Sequence, residues 1–117
     1  MKFYKQENKK YVSQTLIDKM FSNDYDLVKV DTLKNIMNKL NTSNIELLKM
    51  DIEGAENIVL NNMLDENITP KYLLVEFDLY LKGKDKNSLT DKLIKRLIEC
   101  GYKILYNDNY NITFELE

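Results

Sequence analysis

The clearest patterning begins at Leu27, where the spacing of apolar residues switches between strand and helix periods. Leu27-Val28-Lys29-Val30 reads as a short strand. Leu33, Ile36, Met37 and Leu40 then form one stripe on a helix that Asp31 or Thr32 can cap. Polar residues 41–44 end that helix. Residues 45–50 read as the next strand, and Asp51-Ile52-Glu53-Gly54 is a tight exit into a second helix. Its buried side is expected to carry Ala55, Ile58, Val59, Met63 and Leu64, with a C-terminal turn at Asn61-Asn62. Pro70 introduces residues 72–77, a nearly all-apolar run that fits a strand buried on both faces, as in a parallel sheet.

After a loop carrying Lys82, Lys84 and Lys86, Ser88 and Asp91 have the spacing of a capping box. The helix they open has Leu89, Leu93, Ile94, Leu97 and Ile98 at helical spacing and Gly101 as its stop. Residues 102–106 and 110–115, joined by Asn107-Asp108-Asn109, read as a β-hairpin. The segment 1–26 is poorly defined, its one helical period lying at Val12, Leu16, Ile17, Met20 and Phe21; residues 27–117 form the main domain. Alternating strands and helices predict an α/β fold with a mostly parallel sheet and a terminal antiparallel hairpin.

Composition narrows the function classes. Seventeen Lys+Arg against nineteen Asp+Glu give a net charge of −2, which offers no basic field for nucleic acid. Without histidine and with a single cysteine, Cys100, there is no Ser-His-Asp triad, Cys-His pair or multi-cysteine metal site. Cys100 is expected to be a packed thiol. No apolar run approaches the roughly 20 residues of a membrane span, and the polar N-terminus has no signal-peptide core, so the expected location is cytoplasmic.

Ligands of open α/β sheets bind beyond the carboxyl ends of the strands. Asp51 leaves the second predicted strand there and Glu76 ends the third, so on neighbouring strands the two carboxylates would face one cleft. Such a pair can take a proton from a hydroxyl or hold a divalent cation. Lys49, two residues before Asp51, points to the same face. Each also has a plainer role: Asp51 as a helix cap, Glu53 and Glu56 as first-turn acids favoured by the helix dipole, Glu76 as an edge residue reaching water, and Lys49 as a snorkelling side chain.

Residues 45–60, IELLKMDIEGAENIVL, resemble the signature of the FkbM family of S-adenosylmethionine-dependent methyltransferases. Lys49, Asp51, Glu53, Gly54 and Glu56 match its K-x-D-x-E-G-x-E run, followed by Val59 and Leu60. Flanking likenesses are Val28 to Leu33, Pro70 with Leu74-Val75-Glu76, and Gly101-Tyr102, so that the resemblance runs from about residue 26 to 117. It implies a Rossmann-like class I methyltransferase fold with sheet order 3-2-1-4-5-7-6, of which this chain carries strands 3 to 7 and lacks the first two. It further implies S-adenosylmethionine as cofactor and a small-molecule hydroxyl acceptor such as a sugar. Asp51, Glu53 and Glu76 would be catalytic, and Lys49, Asp51 and Gly54 would bind the cofactor. The chain departs from the family in lacking a glycine-rich first turn, in Lys34 after Thr32-Leu33 and in Asn62 after the Val-Leu pair. A complementing chain or a second copy would then be needed to complete the domain. Two other readings remain open: a non-catalytic remnant or interaction module that keeps the fold, and a small domain binding a metal or a sugar through Asp51, Glu53 and Glu76.

Overall fold

The computed structural model describes residues 2–5, 14–15, 25–27, 31–77 and 88–117. Three short strands form an antiparallel sheet in the order β2-β1-β3: β1 (Lys2–Lys5), β2 (Gln14–Thr15) and β3 (Tyr25–Leu27). Gln14 and Thr15 are therefore extended where the apolar spacing suggested a helix, because their backbone pairs with Tyr4 and Lys5. The strand expected at 27–30 is met only at Leu27, opposite Lys2; Val28, Lys29 and Val30 lie outside the described residues, as does the lysine loop.

The remaining elements are α1 (Leu33–Lys39), β4 (Leu47–Met50), α2 (Glu56–Asp65), β5 (Tyr72–Glu76), α3 (Leu89–Glu99), β6 (Tyr102–Asn107) and β7 (Asn111–Leu116). Their four-stranded sheet has the order β4-β5-β7-β6. It is mixed: β4–β5 is a parallel ladder, and β7 inserts between β5 and β6 antiparallel to both, so that β4, β5 and β6 run the same way and β7 alone is reversed. The hairpin is as expected, with a register shift between Ile104 and Tyr106.

One face of this sheet makes the core. Met50, Leu73, Val75, Phe114, Ile112 and Tyr102 pack with Leu60, Met63 and Leu64 of α2 and Leu93 and Leu97 of α3. Tyr102 meets Phe114 edge to face at 6.4 Å, a favourable arrangement of ring quadrupoles. Arg96 of α3 spans to α2, donating to Asn61 Oδ1 at 2.8 Å and to Asp65 Oδ1 at 2.6 Å. The opposite face is only partly covered. Leu47 and Lys49 are exposed there, and β5 alternates between buried and half-buried residues instead of being buried on both sides.

Helix faces and caps depart from the apolar spacing in several places. Thr32 caps α1, its hydroxyl accepting from Asn35 N–H at 3.1 Å, but only Met37 of the stripe is buried; Ile36 and Leu40 are exposed. In α2 the buried side is Glu56, Asn57, Leu60, Met63 and Leu64, with Ile58 in solvent. The helix runs through Asn61-Asn62 to Asp65, and Asn67 takes the left-handed conformation instead. In α3, Thr90, Leu93 and Leu97 are buried while Leu89 and Ile98 are exposed. Ser88 is left-handed and its side chain makes no capping bond, so no capping box forms. Cys100 is exposed, because it sits at the C-cap beyond the last buried turn.

Tyr102 closes the base of the core, its hydroxyl donating to the Pro70 carbonyl at 2.5 Å. Burial pushes its pKa from 10.0 up to about 12, with the nearby Cys100 adding to the effect. A raised phenol value means that the contribution of Tyr102 to stability is intact below pH 10 and is lost as the pH climbs toward 12. We expect Tyr102→Phe to cost about 1 to 2 kcal/mol at neutral pH, through the lost hydrogen bond. It should also flatten the alkaline fall in stability, as read by urea melts at several pH values.

Candidate functional site

The parallel ladder sets the site. Lys49 is in register with Leu74 and Met50 with Val75, so Asp51 and Glu76 leave the sheet at the same level on adjacent strands. Neighbouring strands lie about 4.8 Å apart, which brings the two carboxylates to one edge. On the other side of β5, Glu76 is in register with Asn111, and Leu74 with Thr113. The insertion of β7 thereby adds the hairpin to the wall.

Together these residues line a cavity of about 340 Å³ at the carboxyl end of the sheet. Lys49, Asp51 and Glu76 all line it, with Tyr106, Asp108, Asn111 and Thr113 from the hairpin. Among the described lining residues, the carboxylates of Asp51, Glu76 and Asp108 outnumber the ammonium of Lys49. That balance suits a cationic or hydroxyl-rich guest. Asp51 is exposed and Glu76 is half-buried. Asp51 does not cap α2: the N-cap residue is Ala55, which makes no side-chain capping bond.

Glu53 and Gly54 are not among the lining residues but form the turn behind Asp51. Both have left-handed backbones, with φ of 57° and 108°. Glycine accepts that conformation freely, whereas glutamate does so at a steric cost. Glu56, expected only as a first-turn acid, is buried and accepts from the N–H groups of Ile52 and Gly54 at 3.1 to 3.2 Å. Among the described residues no group of three or more His, Cys, Asp or Glu side chains is gathered for a metal ion, so the divalent-cation reading gains no support.

A family model, the methyltransferase FkbM domain, matches residues 3–104. The chain belongs to the FkbM methyltransferase family. The match begins well upstream of residue 26, where the motif resemblance starts, and takes in β1 to β3 of the FkbM domain. No curated protein and no solved structure matches the chain. No helix among the described residues of this FkbM domain is long and apolar enough to cross a membrane.

The motif residues of the FkbM domain thus divide by position: Lys49 and Asp51 face the cavity, Glu53 and Gly54 shape the turn, and Glu56 lies beneath it. The hairpin side of the cavity was not foreseen from the sequence. Its signal was Asp108 three residues before Asn111, the spacing at which an aspartate can hold its own turn. Asp108 Oδ1 accepts from Asn111 N–H at 2.7 Å and from Tyr110 N–H at 3.3 Å; Oδ2 accepts from Asn111 Nδ2 at 3.2 Å. The Asn111 N–H foremost holds the Asp108 carboxyl below its usual 3.8, helped by the Asn111 side chain, the Tyr110 N–H and the Tyr106 hydroxyl. A lowered value gives stability that is present above pH 3.8 and is lost as the pH falls through the lowered value. Asp108→Ala should therefore lower the melting temperature at neutral pH and speed amide exchange at Asn111. The gap to wild type should narrow in acid.

Proposed function

We propose that this FkbM domain is an S-adenosylmethionine-dependent O-methyltransferase acting on a hydroxylated small molecule such as a sugar, with the carboxyl edge of β4 and β5 as the transfer site. The observation that carries this reading is the convergence of Lys49, Asp51 and Glu76 on one cavity within a family-matched chain. The order β4-β5-β7-β6, with β7 antiparallel, supports taking this sheet as the last four strands of the class I order 3-2-1-4-5-7-6.

The cofactor, when bound, supplies an electrophilic methyl group on a sulfonium. The donor set at the cavity fits that chemistry. Asp51 offers a carboxylate beside a positive charge, and Lys49 offers an ammonium to an anionic group. Glu76, half-buried at the edge, would take the proton of an acceptor hydroxyl, and the cavity walls would hold that hydroxyl oxygen in line with the methyl group. Glu53 flanks this site from the turn, and Gly54 gives the turn its left-handed step. The chain's three glycines provide no glycine-rich turn for the far end of the cofactor, so we assign that part to a second copy of the chain. The cytosol is the setting this reading assumes.

Calorimetry and a melting scan with S-adenosylmethionine test the reading. Ligand at about 100 times its dissociation constant should stabilise the chain by about 2.7 kcal/mol. Asp51→Asn should remove most of that gain. Glu76→Gln should bind but lose transfer to hydroxylated acceptors by about 100-fold. Equal heats from wild type and Asp51→Asn would contradict the assignment, as would silence from a folded wild type at every protein concentration.

A further inference from the structure

The turn between β4 and α2 has an energetic problem that its sequence must solve. It leaves β4 at Asp51, passes two consecutive left-handed residues at Glu53 and Gly54, and enters α2 behind Ala55. Alanine has no side-chain oxygen, so the first N–H groups of this region receive no ordinary cap. A non-glycine residue at positive φ persists only where its surroundings over-determine it. Nothing in the Ala55 side chain does that. The main-chain contact from Ala55 N–H to Ile52 O is long, at 3.5 Å.

Glu56 supplies the missing constraint. It is 1% exposed, a burial that a carboxylate tolerates only with strong partners. Its Oε1 accepts from Ile52 N–H at 3.1 Å and from Gly54 N–H at 3.2 Å, and its Oε2 accepts from Gly54 N–H at 3.1 Å. Both donors belong to the turn, one on each side of Glu53. Hydrogen bonds to an ionised acceptor are among the stronger ones, and the first turn of α2 adds a favourable dipole. The carboxylate therefore reaches backward and pins the backbone that follows Asp51.

We infer that Glu56 is the positioning residue of this site: by clasping the Ile52 and Gly54 N–H groups it fixes the path of the turn and sets the Asp51 side chain at the cavity. The functional weight of Asp51 rests on the methyltransferase reading above; the clasp does not. Glu56 itself does not line the cavity, so it acts through Asp51 and not on a substrate.

Nitrogen-15 NMR of the full chain tests both parts, with Glu56→Gln as the main variant. Glutamine keeps the shape but loses the charge and turns a carboxamide NH2 toward a backbone donor, so amide exchange at Ile52 and Gly54 should rise about tenfold or more, as expected for a lost charged acceptor. Exchange at Leu73 and Phe114 should stay within twofold of wild type, roughly the scatter of such comparisons. Residual dipolar couplings of residues 51–54 should change while those of β5 and β7 hold. The affinity for S-adenosylmethionine should fall about tenfold, a loss of one well-aligned contact. Unchanged exchange at Ile52 and Gly54 would overturn the clasp. Changed exchange with unchanged couplings at Asp51 would overturn the positioning role. If wild type and Asp51→Asn are equally silent toward S-adenosylmethionine, the methyltransferase reading fails, and the exchange and couplings still decide the clasp. Glu56→Asp, one methylene shorter, serves as a check should Glu56→Gln not fold; it should loosen the same two amides.

Discussion

The structure depends on burying one face of a four-stranded sheet beneath two helices. Leu73 and Val75 of β5 and Phe114 and Ile112 of β7 lie on that face, locked against Leu60, Met63, Leu93 and Leu97. A slip of one residue in either strand would turn those side chains to the other face, so the apolar set fixes the register. The register in turn decides what meets at the carboxyl edge. Asp51 follows Met50, Met50 faces Val75, and Glu76 faces Asn111. The candidate site is thus a consequence of core packing several residues away.

The partly covered face follows from the same arrangement. Both core helices pack on one side, leaving a row of Leu47, Tyr72, Glu115 and Lys103 on the other. Within it, Tyr72, Glu115 and Lys103 form a polar network. The Tyr72 hydroxyl, and after it Lys103, keeps the Glu115 carboxyl below its ordinary value, and Lys103 reaches Glu115 at 3.2 Å. Charged pairs of this exposed kind add little to stability, but they make a sheet face compatible with water.

Much of this was legible in the sequence, for identifiable reasons. Strand alternation and turn residues located β4 to β7, and the rule that ligands sit beyond strand carboxyl ends singled out Lys49, Asp51 and Glu76. The helix faces were harder. Apolar spacing favoured Ile58, Leu89 and Ile98, which are exposed, and passed over Glu56, Asn57 and Thr90, which are buried. Those three polar residues lie in the first turns of α2 and α3; the Glu56 carboxylate accepts from Ile52 and Gly54 N–H, and Asn57 Nδ2 donates to Thr90 Oγ1 at 3.3 Å, while Asn57 Oδ1 is buried with no hydrogen-bond partner among the described residues. Hydropathy has no means of expressing such hydrogen bonds. The hairpin wall was missed although the resemblance implied its topology: β7 does lie between β5 and β6, but no local spacing singled out Tyr106 or Asn111 as cavity residues.

We propose the carboxyl edge of β4 and β5 as the working end of this FkbM domain. Amide shift mapping with a non-reactive S-adenosylmethionine analogue tests it most directly. Perturbations are expected to concentrate at residues 49–56 and 74–77, with smaller ones at 106–113. A second cavity, lined by Glu46, Asn67 and Lys71 among others, lies at the opposite end of the same strands. Perturbations gathered there, or spread evenly over the chain, would place the working end elsewhere.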